Sequence, residues 1–211
     1  IPADLAAHHP ALHSTLAAAA LRIDALFGAN QDIEFTVEEG RLYVLQSRNK
    51  PYEREHAVRL DTTARAPLAR GVGVSGGGFR GVAAFLGSDL EALQRQARAL
   101  NASAGEPVVD GVVLLAHSPR GEDINAMLKY AGGWVVTSGG RTSHAALMAK
   151  HHDVNAVFGA AELEIDEQHR VARTKSSPTP IVEGEIISID GDAHRGEIYR
   201  GSVPFERGLL K

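Results

Sequence analysis

The chain has no cysteine. That excludes disulfides, thiolate nucleophiles and cysteine-ligated metal centres, and it fits a reducing compartment. Aromatic residues make up only 5% of the sequence, so any core must be built mostly from small aliphatic side chains. Basic residues are not in excess: 22 Lys and Arg stand against 26 Asp and Glu, a net charge of −4. The positive footprint with which nucleic-acid binders neutralise phosphates is therefore missing. No apolar run approaches the roughly 20 residues that cross a bilayer, and no charged-then-apolar leader opens the chain. Neither nucleic acid nor membrane is expected as a partner, and a cytoplasmic setting is. An initiator methionine is also missing. "IPADLAAHHPALHSTLAAAALRIDALFGANQ" reads as a helix met in mid-domain, so a fragment or a processed product is expected.

What is present suffices for a core. Apolar residues are 44% of 211, enough for one large domain or a medium one with a smaller companion. Residues 11–28 read as a helix, with Leu12, Leu16, Leu21 and Leu26 among alanines and Gly28 at its end. In "QDIEFTVEEGRLYVLQSR", Ile33, Phe35 and Val37 alternate with polar residues, which is strand periodicity, and Gly40 marks a hairpin turn. A two-residue loop would set Thr36 and Glu34 opposite Tyr43 and Leu45. A three-residue loop, favoured by Gly40 in its last position, would set Val37 opposite Arg41, Glu34 opposite Val44 and Asp32 opposite Gln46. The latter gathers Asp32, Glu34, Gln46 and Arg48 on one face. Two acids, an amide and a guanidinium suit a metal–phosphate site; they equally suit the solvated face of a hairpin.

Residues 51–68 are polar, contain Pro51 and Pro67 and read as a linker. From residue 69 the texture changes. "RGVGVSGGGFRGVAAFL" suits strands with close backbone approaches and fits neither a P-loop nor a dinucleotide fingerprint. "SDLEALQRQARAL" predicts a helix with Ser88 as N-cap and Glu91 completing a capping box. "DGVVLLAH" predicts a buried strand. "SPRGEDINAMLKYAGG" predicts a helix capped by Ser118 with Pro119 in its first position. "WVVTSGG", "NAVFGA", "EIISIDG" and "EIYRG" complete an alternation of strands and helices, which places the chain in the α/β class. Trp134 is expected to pack. His151 and His152 are expected on a solvated helix end, and Asp190 and Asp192 in a turn rather than at a metal.

"TSGGRTSHAALMAK" carries the chemistry. A strand ends at Val136, Gly139 and Gly140 let the chain turn, and a helix starts near Thr142 or Ser143. His144 then sits in the first turn, where free amides and the positive dipole end favour an anion. The same field opposes an imidazolium and favours the neutral, nucleophilic ring. Arg141 adds a planar cation suited to phosphate, and Thr142 and Ser143 add hydroxyls. The plainer reading is a helix start capped by Thr142 or Ser143 in which His144 is idle.

"GGRTSHAALMAK" closely resembles the phosphohistidine motif of the phosphoenolpyruvate-utilising enzymes, the family that includes pyruvate phosphate dikinase. "SPRGEDINAM", "AVFGA" and "GEIISIDGDAHRGEIYRG" resemble that family's swivelling domain, of β/β/α type. "QDIEFTVEEGRLYVLQSR" is similar to the end of a dikinase ATP-grasp domain. The resemblance implies residues 1–50 as the C-terminal part of an ATP-grasp domain, 51–68 as a linker, 69–201 as the swivelling domain and 202–211 as a linker tail. It implies His144 as the phosphorylated residue within a loop of Gly139, Gly140, Arg141, Thr142 and Ser143, with Thr142 at a position that some dikinases use for regulation. It assigns Asp32, Glu34, Gln46 and Arg48 to ATP phosphates, with Asp32 and Glu34 also holding Mg2+. The implied reaction converts ATP, phosphate and pyruvate into AMP, pyrophosphate and phosphoenolpyruvate. It needs the remaining ATP-grasp and barrel domains, so the chain alone is expected to carry phosphate without completing turnover. Ser138 before the glycine pair and Arg141 after it match the phosphoenolpyruvate synthases instead. A synthase, and a stand-alone phosphocarrier, are the alternatives.

Overall fold

The structure is a computed structural model that describes residues 8–27, 31–49, 58–63, 65–192 and 194–206. Two compact units divide the chain, Ile1–Tyr52 and Glu53–Lys211. In the first, the alanine-rich run forms helix α1 (Pro10–Phe27), followed by strands β1 (Gln31–Glu38) and β2 (Arg41–Asn49). Helix α1 buries Leu16 and leaves Leu21 and Leu26 exposed. Gly28, expected to end this helix, lies outside the described residues.

The hairpin corrects the expected register. Glu38 pairs with Arg41, so only Glu39 and Gly40 turn the chain, at φ of 48° and 73°. Two positive φ values in succession are what the tight primed turn demands. The three-residue loop and its pairings are therefore wrong, and Thr36 faces Tyr43. A bulge between Glu34 and Phe35 then shifts the ladder by one residue. Glu34 consequently opposes Gln46, and Asp32 opposes Arg48. The four positions do converge, as two direct cross-strand pairs rather than by the expected offset.

The second unit is built around parallel strands that are buried on both faces. Strands β3 (Ala69–Ser75), β4 (Gly77–Phe85), β5 (Gly111–Ala116), β6 (Gly133–Val136) and β7 (Asn155–Phe158) lead into β8 (Leu163–Asp166), β9 (Val171–Thr174) and β10 (Ser177–Val182). Strands β11 (Ile186–Gly191) and β12 (Gly196–Arg200) follow. Seven of them close a barrel in the order β11-β12-β3-β7-β6-β5-β4, parallel from β4 to β7 and antiparallel elsewhere. Closure leaves the barrel without an unpaired edge. In β5, Val113 and Leu115 fill the interior while Val112, Leu114 and Ala116 join the layer of side chains under the helices. Two-sided burial explains why this strand reads as an unbroken apolar run. Gly71 and Gly73 explain the glycine-rich strand: a Cβ would lie 2.4 Å from the Phe158 carbonyl oxygen in the first case and 2.1 Å from that of Asp192 in the second.

Three helices cover the parallel strands: α2 (Leu90–Ala104), α3 (Gly121–Tyr130) and α4 (His144–His151). Two of the expected caps move. Helix α2 is capped by Asp89, whose carboxylate accepts from the Ala92 amide at 2.9 Å. Ser88 is occupied elsewhere, accepting from the Phe85 amide and donating to Glu183. Helix α3 starts at Gly121 rather than Pro119, because Asp123 reaches back to the Arg120 amide at 2.7 Å and closes the first turn there. Trp134 packs as expected, fully buried beside Met127, with its indole N–H donated to the Ala131 carbonyl at 3.1 Å.

Strands β8 to β10 form a separate three-stranded sheet that the sequence reading did not anticipate. The described part of the expected linker is packed chain. Leu60 is buried and bridges Phe205, and Leu68 donates its amide to Ile198. On the other side of that bridge, Val203, read as part of a tail, is fully buried. Residues 51–57 and 207–211 lie outside the described residues. Among the described residues no helix is long and apolar enough to cross a membrane.

Candidate functional site

The loop between β6 and α4 is fixed at both ends by local chemistry. At its start the β5–β6 bonding continues past the strands: Thr137 donates its amide to Ala116 at 3.1 Å and Ser138 donates to His117 at 3.0 Å. Gly139 then adopts φ 74°, a left-handed conformation that side-chain-bearing residues resist. Its carbonyl passes so close to Gly159 that a Cβ there would lie 3.3 Å away. The turn closes where Ser143 donates to the Gly140 carbonyl at 3.0 Å.

Ser143 is the N-cap of α4: its backbone is extended, and its hydroxyl accepts from the Ala146 amide at 3.3 Å. Its carbonyl receives the Leu147 amide at 3.0 Å. His144 is thus the first helical residue, and its side chain is exposed. The amides of the first turn precede any intrahelical acceptor, so those of His144 and Ala145 point toward whatever lies before the helix. Ala145, Ala146 and Ala149 bury the opposite face, their small side chains letting α4 sit close to the strands beneath. Gly139, Gly140, Arg141 and Thr142 are exposed beside His144, and Ser143 is half-buried. The six residues singled out in the sequence are therefore contiguous on one accessible loop and helix start. The arrangement can receive an anion on amides, hydroxyls and a guanidinium, next to an imidazole open to solvent.

The second set lies in the other unit. Glu34 and Gln46 are exposed cross-strand neighbours on the hairpin. Asp32 and Arg48 pair through their backbones, while their side chains lie outside the described residues. Among the described residues no group of three or more His, Asp or Glu side chains is placed to hold a metal ion. Asp192 makes a turn, its carboxylate accepting from the His194 and Arg195 amides at 2.8 Å each. Those bonds, foremost the one from His194, hold its pKa down at about 2. Asp190 beside it is raised by burial, against the opposing pull of Arg59. Arg59 reaches both acids at 3.0 Å, which fastens the segment before β3 to the end of β11.

Sequence reasoning missed His117. It follows β5 directly, and its Nδ1 lies 2.8 Å from Thr137 Oγ1. Its amide donates to Glu167 at 3.0 Å. No local signal marks it: the contact follows from the parallel register of β5 on β6, in which Ala116 pairs with Val136 and the residues after the two strand ends become neighbours. Both side chains also line a groove of about 1250 Å3 with Arg70, Glu162, Arg173 and Lys175.

Comparison with known proteins gives this geometry a counterpart. Residues 108–194 match the family model described as PEP-utilising enzyme, mobile domain. That span runs from just before β5 to the turn after β11 and includes the whole histidine loop. The part of the chain that holds the histidine loop is thus similar to the mobile domain of the phosphoenolpyruvate-utilising enzymes. Among curated proteins the chain is 28% identical to pyruvate, phosphate dikinase of Rickettsia conorii, over 92% of this chain and 24% of that protein. It is 28% identical to the pyruvate, phosphate dikinase of Entamoeba histolytica, over 88% of this chain and 23% of that protein. A probable phosphoenolpyruvate synthase of Methanothermobacter thermautotrophicus is 27% identical over 90% of this chain and 23% of its own length. The chain thus spans about a quarter of the length of these relatives.

Proposed function

We propose that the chain is the phosphoryl-carrying part of a pyruvate phosphate dikinase-type phosphotransferase. The observation that carries this reading is the exposed His144 at the start of the Ser143-capped helix α4, flanked by Gly139, Gly140, Arg141 and Thr142. An imidazole nitrogen of His144 donates its lone pair to phosphorus and the P–O bond to the leaving group breaks. The electron pair departs with the leaving oxygen, which for ATP attacked at the β-phosphorus is AMP. The first-turn amides and Arg141 receive the phosphoryl oxygens, where both partial and full positive charges oppose them. The outer phosphoryl group passes to inorganic phosphate, and the remaining one passes from His144 to pyruvate, forming phosphoenolpyruvate.

In this reading residues 1–50 are the end of an ATP-grasp domain, joined by a linker to a swivelling domain at 69–201. Glu34, Gln46, Arg48 and Asp32 meet the ATP phosphates. Asp32 and Glu34, two strand positions apart on β1, offer the hard oxygen donors that suit Mg2+. The ion would neutralise phosphate charge. Turnover needs the rest of the ATP-grasp domain and a barrel that binds pyruvate, in a cytoplasmic setting. Thr142 is exposed and open to regulatory modification.

The test is acid-labile, alkali-stable labelling of the 211-residue chain. The donor is phosphoramidate, or phosphoenolpyruvate with a separate barrel-containing protein. One phosphoryl group per chain is expected, and none on His144→Ala; undiminished label on that variant would remove His144 from the mechanism. Ser138 and Arg141 around the glycine pair favour a second reading, a phosphoenolpyruvate synthase in which water replaces phosphate as the outer acceptor. With the full-length gene product, phosphoenolpyruvate formed without added phosphate would decide for the synthase. A chain labelled by a partner barrel but never by ATP, even in full length, would decide for a stand-alone phosphocarrier.

A further inference from the structure

The histidine loop hangs between two anchors with a glycine pair in the middle. At the helix end the anchor is the Ser143 cap, bonded to Ala146 and Gly140. Gly139 and Gly140 transmit little stiffness, because a glycine backbone is the least restricted of any residue. Buried Ala145, Ala146 and Ala149 hold the helix end on the strands, so the placing of the loop before His144 depends on a second anchor at the β6 end.

We propose that His117 is a positioning residue for the His144 loop, holding the Thr137 hydroxyl and so fixing where the loop leaves β6. His117 touches this junction through two groups and is itself held by a third. Its ring Nδ1 lies 2.8 Å from Thr137 Oγ1, and its carbonyl accepts from Ser138 at 3.0 Å. Its own amide is held by Glu167 from the β8–β9 turn. Thr137 is 8% exposed, and the His117 ring is the one hydrogen-bond partner of its hydroxyl among the described residues. A buried hydroxyl that loses its partner loses more than a neutral exchange with water would return, so the ring and the hydroxyl constrain each other. His117 is itself exposed, which leaves it free of packing duties that would explain the contact otherwise. The effect on phosphoryl transfer rests on the carrier reading above; the effect on the loop does not.

The experiment compares the chain with His117→Leu, Thr137→Val, the double variant and His117→Asn. Asparagine sets an amide where Nδ1 was and can keep the bond to Thr137. Two readouts are taken: amide hydrogen exchange at Ser138 and Ser143, and the rate of His144 labelling by phosphoramidate. One hydrogen bond corresponds to a change of about 2- to 10-fold. His117→Leu and Thr137→Val should each speed exchange at both amides by that factor and slow labelling comparably. The double variant should add nothing to either single one, since both remove the same interaction. His117→Asn should restore both readouts. Unchanged exchange in both single variants overturns the proposal, and so does a His117→Asn variant that behaves like His117→Leu. A wild-type chain that takes no label would sink the carrier reading, while the exchange data would still decide this one.

Discussion

The two loop glycines look equivalent in sequence, yet the structure separates them, and the substitution of each by alanine is a sharp test of the loop geometry. At Gly139 the backbone has φ 74°, and a Cβ would lie 3.3 Å from Ser143 Cβ and 3.5 Å from its hydroxyl. A left-handed alanine costs about 1–2 kcal/mol. The contact also pushes the residue whose hydroxyl caps α4, and losing such a cap costs about 1 kcal/mol. Gly139→Ala should therefore destabilise the second unit by about 2–3 kcal/mol. At Gly140 the backbone is not left-handed, and nothing lies within 4 Å of the added carbon. Gly140→Ala should fall within about 0.5 kcal/mol of wild type, or be slightly stabilising because alanine restricts the unfolded chain. Urea unfolding followed by Trp134 fluorescence reads this out, since that sole tryptophan is fully buried in the second unit. With a urea dependence of about 1–3 kcal/mol per molar, the Gly139→Ala midpoint should drop by about 1 M. Coincident midpoints, or a larger loss at Gly140, would refute the turn conformation on which the site is built.

Tyr199 gives an alkaline signature. Burial, reinforced by the 2.5 Å hydrogen bond from its hydroxyl to Glu197, pushes its pKa up to about 12 from an ordinary 10. A raised folded value means the contribution is complete below pH 10 and is lost as pH climbs from 10 to 12, by about 2–3 kcal/mol in total. Urea midpoints measured across that window should fall in the wild type and stay nearly level in Tyr199→Phe. At α2, Asp89→Ala should cost about 1 kcal/mol in urea melts, and Asp89→Asn much less, because the Ala92 amide needs only an oxygen to bond. Should Ser88→Ala remove the same helix stability, the capping assignment fails.

How far the fold could be read from sequence follows the range of the forces involved. Strands β5, β6 and β7 are apolar runs buried on both faces, and that property is written in each residue separately. The capping errors at α2 and α3 are local ambiguities. "SDLE" and "SPRGED" each offer more than one residue able to cap, and the choice was made by Glu183 and Asp123 rather than by propensity. Barrel closure joins Ile187 to Gly81 across more than a hundred residues, and no local pattern announces that pairing. Strands β8 to β10 escaped because they are short, carry prolines at 178 and 180, and mix exposed polar residues with few buried ones.

The candidate site divides along the same line. The helix start at His144 was legible because glycine conformation, N-capping and first-turn amides are all decided within eight residues. The hairpin set was legible in membership but not in register, since alternation alone keeps positions two apart on one face whichever turn is adopted. Relative to a plain two-residue turn, the bulge and a three-residue turn each shift the partner strand by one residue in opposite directions, so the two registers differ by two residues and keep the same faces together. Hence Asp32, Glu34, Gln46 and Arg48 converge in either case, while their direct partners differ. The His117–Thr137 contact required the parallel register of β5 on β6, a tertiary fact. Its chemistry was invisible until the ends of the two strands were known to lie side by side.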